Sequence, residues 1–201
     1  GIEAVSFVGS TTVAKIVYKR ATSNLKRCVA LGGAKNHLIV LPDAHLEMTA
    51  SNVVASMAGC AGQRCMAASV MVGVDNVQHI IDKMVEEAKA IVPGENLGSV
   101  ISAAAKERIE GYITAAEQAG ATILVDGRGA TVPGKEDGYY VGPTIIDYVT
   151  PDMSVASEEI FGPVISIIRA KDLDAAIDIE NSSNYGNAAA VFTQSGGLAK
   201  Q

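Results

Sequence analysis

The stretch AVSFVGSTT, residues 4–12, decides how the chain folds. Ala4-Val5-Ser6-Phe7-Val8 reads as a short strand. Gly9 lets the backbone turn tightly, and Ser10 and Thr11 stand where a helix N-cap belongs. A helix over residues 12–22 follows, then a second strand over 27–31 (RCVAL) ending on Gly32-Gly33. Strand, turn, helix and strand at this spacing form the repeating unit of a parallel sheet. Free amides and the positive end of the helix dipole then face whatever lies above the turn, and a phosphate is the expected ligand. The same residues also suit a plain capped helix, because the turn lacks the GxGxxG fingerprint.

Outward from this unit the alternation continues. Strands are expected over 37–41, 69–74, 122–125, 139–144, 164–169 and 188–193, and helices over 46–58, 77–92, 103–119 and 173–181. The fold class is therefore α/β with a mainly parallel sheet. Residues 127–138 are polar and glycine-rich and read as an exposed excursion, and the closing GGLAKQ reads as a cut end. No internal repeat is visible.

The composition narrows the function. The 201 residues are 48% hydrophobic and 19% charged, an ordinary globular balance. A net charge of -6 and only 4% aromatics argue against nucleic acid as a partner, which needs cationic grooves and stacking platforms. No apolar run is long enough to span a bilayer, so no membrane is expected. The start, GIEAVSFVGS, has neither a basic n-region nor an apolar h-region, but it also lacks Met, which leaves an upstream targeting segment open. Cys28, Cys60 and Cys65 are odd in number and irregularly spaced, so a disulfide framework is not expected. His37, His45 and His79 are scattered, with no CxxC or HExxH, and no metal site is expected.

Two further stretches carry chemistry. In Gly62-Gln63-Arg64-Cys65, glycine, glutamine and a cation surround a thiol. A cysteine is often a small core residue, but an adjacent arginine and glycine-exposed amides favour thiolate, the state a nucleophile needs. Cys60, five residues earlier and without the charge, reads as packing. In Glu158-Glu159-Ile160-Phe161-Gly162-Pro163, two carboxylates precede an aromatic and a rigid turn. Adjacent acids usually make a solvated surface, but one carboxylate can hold a ribose diol and the aromatic can pack on a flat ring.

FVGST, LGG, GQRC and EEIFGPV, in this order and ending at the strand AAAVFT, resemble the aldehyde dehydrogenase family along the whole chain. The resemblance implies an aldehyde dehydrogenase-like fold: a remnant of the Rossmann-type NAD-binding domain over 1–33 and a cysteine-bearing catalytic domain over 34–201. It implies NAD as cofactor, an aldehyde substrate and a homo-oligomeric parent enzyme. Cys65 matches the nucleophile. Gly9 and Ser10 match the pyrophosphate contact, and Gly32 the backbone beside the nicotinamide. Glu159 matches the acid on the nicotinamide ribose and Phe161 the ring near the nicotinamide. Asn181, Tyr185 and Gly186 match a recurring structural turn.

One departure is informative. The family usually carries Glu-Leu-Gly-Gly-Lys at the second strand end, its glutamate being the base that hydrolyses the thioester. Here the run is Ala30-Leu31-Gly32-Gly33-Ala34. Losing a general base typically slows such a step by about 10²–10⁴. A thiol acceptor needs no such base, so the resemblance points to the acylating methylmalonate-semialdehyde dehydrogenase branch, with coenzyme A as co-substrate. Arg64 would then pair with the carboxylate of a methylmalonate or malonate semialdehyde, or else serve its own loop. The implied compartment is the cytoplasm of a prokaryote or the mitochondrial matrix of a eukaryote. With so little of the dinucleotide domain, the chain reads as part of a longer protein, weak or inactive alone. A hydrolytic dehydrogenase, a non-catalytic truncated product, and a cysteine hydrolase using His37 or His45 are the alternatives.

Overall fold

The computed structural model describes residues 1–201. The chain divides into two compact units, Gly1–Ala34 and Lys35–Gln201.

The first unit is one βαβ turn. Strand β1 (Ala4–Val8), helix α1 (Thr11–Ser23) and strand β2 (Arg27–Leu31) follow each other, and the strands pair in parallel from Ala4↔Arg27 to Val8↔Leu31. Ser10 caps α1, its hydroxyl accepting from Val13 N at 3.5 Å, and Gly9 N donates to Leu31 O. The Thr11 hydroxyl accepts from Gly33 N at 2.9 Å, tying the helix start to the end of β2. Apolar side chains such as Val8, Val29, Leu31 and Ile16 remain exposed.

The second unit is built on a six-stranded sheet. In chain order it contains β3 (Asn36–Val40), α2 (Leu46–Ala58), β4 (Ala68–Val74), α3 (Gln78–Lys89), α4 (Ala103–Gln118), β5 (Thr122–Val125), β6 (Thr144–Asp147), α5 (Ser154–Ser157), β7 (Val164–Ala170), α6 (Leu173–Asn181) and β8 (Ala189–Phe192). The strand order is β5-β6-β7-β4-β3-β8, and every pairing is parallel except β5 with β6. β4 and β7 are almost wholly buried, as expected of central strands covered on both faces. Their Val and Ile side chains, with Met57, Met84, Ile109 and Ile113 from the helices, make the core. No helix is long and apolar enough to cross a membrane.

The strand expected over 139–144 is displaced. Tyr140 and Val141 are buried, which gave the stretch its strand-like pattern, but the ladder begins only at Thr144↔Val164. Pro143 has no N–H to donate, and the Gly142 amide goes instead to Gly127 O at 2.8 Å. The short helix α5 and the 3-10 turns at Gly59–Gly62 and Leu198–Lys200 carry no periodicity long enough to read.

The head of β3 is unusual: Lys35, Asn36 and His37 are consecutive, polar and buried. The Lys35 amine makes no hydrogen bond, and burial, opposed by the charges of Glu159 and Glu158, brings its pKa down to about 7. His37 Nδ1 lies 2.8 Å from Glu180 Oε2. Burial, with the charge of Lys35, lowers His37 to about 4, so at neutral pH this is a neutral imidazole beside a carboxylate rather than a salt bridge.

Two consequences are measurable. Gly62 has φ +69°, and a Cβ there would lie 1.9 Å from Gly162 O. Gly62→Ala is therefore expected to lose roughly 2 kcal/mol or more of stability through strain and overpacking; an unchanged urea midpoint would refute that packing. For Lys35, the unfolded chain holds its proton up to about 10.5 while the folded chain releases it near 7. Unfolding thus takes up a proton across that interval, and the lysine makes stability rise with pH from about 7 towards 10.5, its full penalty being present below about 7. Lys35→Met should be the more stable form at the low end of that window, and the gap to the parent should shrink towards the high end. A gap independent of pH would disprove the assignment.

Candidate functional site

In the second unit the candidate residues gather at one edge of the sheet. Cys65 precedes β4, Asn36 opens β3, the 158–163 turn precedes β7, and Asn187 precedes β8. These strands are mutually parallel, so all four features lie at their N-terminal ends. Ligands of open α/β sheets more often sit at the carboxyl ends.

The cysteine loop is strained and well anchored. Helix α2 ends at Ala58, and Cys60 (φ 53°) and Ala61 (φ 54°) both adopt left-handed backbone before Gly62. This turns Ala61 into the core, 1% exposed, and Cys60 outwards. The Gln63 amide pins the turn: it donates to Cys60 O and Ser99 O, and its oxygen accepts from Ile101 N at 2.9 Å. Cys60 was expected to be packing. Instead it is exposed and lines an open cleft of about 690 Å³ together with Gln63, Ile101, Tyr139 and Phe161. The left-handed pair is the cause, and nothing in a Cys-Ala dipeptide announces it.

Cys65 itself is an exposed free thiol. Its carbonyl accepts two side-chain amides, from Asn36 at 2.8 Å and from Asn187 at 2.9 Å. Asn36 also donates to Ala67 O at 2.8 Å. These two asparagines, 29 and 122 residues away, were not found from sequence; a clamp made over such separations leaves no local signal.

Arg64 is turned back onto α2. Its Nη2 donates to Ala55 O and Ser56 O at 3.3 and 3.1 Å, and the guanidinium crosses Gly59, where a Cβ would lie 1.9 Å from that nitrogen. A cation on the last carbonyls of a helix satisfies unpaired acceptors and the dipole. Of the two roles expected for Arg64, the geometry displays the one in its own loop.

The acid-aromatic turn adjoins this loop. The Gly162 carbonyl meets the Gly62 α-carbon so closely that no side chain fits at position 62. Phe161 adopts left-handed backbone (φ 55°) and is 40% exposed, which presents its ring to solvent. Glu159 is half-buried, on the side where it acts on Lys35. The histidines are engaged elsewhere: His37 faces Glu180, and His45 caps α2, accepting from Met48 N.

In the first unit, Gly9 and Ser10 form the turn before α1, a 13-residue helix, and Gly32 lies just past β2. Thr11, Lys15, Tyr18 and Gly32 border a groove of about 260 Å³. First-turn amides at a long helix suit a phosphate. A half-buried carboxylate and an exposed aromatic suit a ribose diol and a flat ring. Taken separately, the first unit offers donors that suit a pyrophosphate and the second offers groups that suit the nicotinamide ribose and ring.

The model of the aldehyde dehydrogenase family matches residues 1–201. The chain is 48% identical to the acylating, mitochondrial methylmalonate-semialdehyde dehydrogenase of Arabidopsis thaliana, matched over 100% of this chain and 34% of that protein. It resembles the crystal structure of methylmalonate-semialdehyde dehydrogenase from Oceanimonas doudoroffii with a TM-score of 0.95 and 43% identity, over 98% of this chain and 42% of the other. It also resembles betaine aldehyde dehydrogenase from Staphylococcus aureus in complex with NAD+, with a TM-score of 0.90 and 29% identity, over 98% and 41%. The chain spans about 40% of the length of the curated relatives it matches. An α/β architecture with a mainly parallel sheet, a thiol on a glycine-punctuated loop and a family match over every residue lead to one conclusion: the chain belongs to the aldehyde dehydrogenase family.

Proposed function

We propose that the enzyme carrying this chain oxidises a carboxylated semialdehyde, of the methylmalonate or malonate type, through a thioester on Cys65 and passes the acyl group to coenzyme A. The observation that carries this reading is the backbone contact between Gly62 and Gly162, which sets the exposed thiol loop against the turn bearing Glu159 and Phe161. Gly1–Ala34 is read as the end of the NAD-binding domain, with Gly9, Ser10 and Gly32 as its share of the cofactor contacts. Lys35–Gln201 is read as the catalytic part, with Glu159 holding the nicotinamide ribose and Phe161 packing near the ring. When bound, NAD supplies the hydride acceptor.

The chain's own residues do the rest. The Cys65 thiolate adds to the aldehyde carbon, forming a carbon–sulfur bond and an alkoxide. We assign the holding of that oxyanion to backbone amides of the cysteine loop. Asn36 and Asn187, by filling both lone pairs of the Cys65 carbonyl, hold the backbone from which the sulfur projects. Loss of hydride leaves a thioester on Cys65. The run 30–34, where the resemblance puts the family's base, holds no carboxylate, so water lacks that catalyst, and the thiolate of coenzyme A takes the acyl group, freeing Cys65. We assign Arg64 to the loop and α2, which leaves recognition of the substrate carboxylate to other groups. The acylating name of the Arabidopsis relative supports the acceptor, and its mitochondrial name supports the matrix as the compartment in a eukaryote; the cytoplasm is the prokaryotic counterpart.

Cys65→Ala is expected to abolish the rapid burst of reduced cofactor in the enzyme carrying this chain; a burst of parental size in the variant rules the nucleophile out. In the parent, omitting coenzyme A should leave the burst intact and slow later turnover by about 10²-fold or more, the scale of a missing base. Equal steady-state rates with and without coenzyme A would favour the hydrolytic alternative.

A further inference from the structure

Glu158 and Glu159 are adjacent carboxylates, and something must decide which of them serves the cofactor. Helix α4 lays one face against their turn. Arg108 donates from Nη1 to Ile160 O. One helical turn further on, the Tyr112 hydroxyl donates to Glu158 Oε2 at 2.5 Å. Between them Ile109 abuts Gly162, where a Cβ would lie 2.7 Å from Ile109 Cδ1. The anchors fall on residues 158, 160 and 162, on either side of Glu159 and Phe161.

Backbone geometry turns these anchors into an orientation. Glu158 is extended (φ -113°, ψ 151°), so successive side chains leave on opposite sides. Drawing Glu158 towards Tyr112 sends Glu159 the other way. Lys35 accordingly feels the charge of Glu159 before that of Glu158. Tyr112 remains a donor throughout any working range, because burial first and then Glu158 push its hydroxyl up to about 12.

We infer that Tyr112 and Arg108 are positioning residues for the nicotinamide cofactor: by occupying Glu158 and the Ile160 carbonyl, they aim Glu159 at the ribose diol. The inference rests on the reading of Glu159 as the ribose acid. A side chain that acts only through another should be replaceable by anything that keeps the second one in place, and its loss should be felt only by ligands that carry the nicotinamide ribose.

The test uses Tyr112→Phe, which removes one oxygen and keeps the ring, in the enzyme carrying this chain. Calorimetric affinities for NAD and for AMP, which lacks the nicotinamide ribose, are compared. NAD affinity should fall about tenfold to a hundredfold, the scale of one hydrogen bond to a charged group, while AMP affinity stays unchanged. Glu158→Ala should match Tyr112→Phe, the double variant should be no worse than either single one, and Glu158→Gln, which still accepts from Tyr112, should retain most of the affinity. Unchanged NAD affinity in Tyr112→Phe overturns the inference, as does an equal loss for NAD and AMP, which would mark a general defect of the fold. If Glu159→Ala leaves NAD affinity intact, the ribose reading itself falls, whatever Tyr112 does.

Discussion

The close approach of the Gly62 α-carbon to the Gly162 carbonyl is the constraint on which the rest of the candidate site depends. A loop after α2 and a turn before β7 can meet at that separation only if one partner has no side chain. Gly62 also requires φ +69°, and it follows two left-handed residues that are not glycine. Left-handed backbone at Cys60 and Ala61 costs about 1–3 kcal/mol at each position. The opposing interactions are visible: three hydrogen bonds by the Gln63 amide, the guanidinium of Arg64 on the end of α2, and burial of Ala61. The strain is what brings Cys60 to the cleft wall.

Placing the site at the N-terminal ends of parallel strands has a physical consequence. Strand starts leave backbone groups unpaired, and here a polar cluster at the head of β3 is buried to meet them. Asn36 serves the carbonyls of Cys65 and Ala67 at once, and Asn187 adds a second donor to Cys65. The Lys35 amine, next in line, has no hydrogen bond and stays buried at the expense of its charge. A buried amine of this kind is destabilising on its own. It stands in the field of Glu159, and a stability deficit of this kind is tolerated where the proposed function puts the ribose acid.

The sequence was legible where the chain acts locally. The βαβ start was readable from Gly9 and Ser10, most strands and helices from their periodicity, and the thiol loop and the acid-aromatic turn from residue type and order. It was silent where the chain acts at a distance or through unusual backbone. Tyr112 is bound to a carboxylate 46 residues on, and Asn187 to a carbonyl 122 residues back. Cys60, Ala61 and Phe161 take left-handed backbone without a glycine to signal it. The strand at Thr144–Asp147 was displaced by two buried residues that follow strand chemistry and yet lie in a loop. For Arg64, adjacency to Cys65 is visible in one dimension, while the α2 carbonyls it reaches, eight and nine residues earlier, are not.

Under the proposed function, the fate of a thioester on Cys65 turns on a competition between water and a thiol. Water is a weak nucleophile at neutral pH and depends on a base; a thiol is partly ionised and does not. A carboxylate beside the thioester would favour water and shorten the life of the acyl group. The run 30–34, where the resemblance puts the family's base, offers only alanine, leucine and glycine, so under the proposed function the acyl group waits for a thiolate. Exposure of the loop then matters in the opposite sense from most nucleophile sites. It need not exclude water, because water lacks its catalyst, but it must admit a bulky thiol carrier. Cys65 is exposed, and Cys60 of the same loop lines an open cleft with Phe161, which meets that requirement. Under this reading, selectivity for the acceptor comes from removing one side chain rather than from building a barrier to solvent.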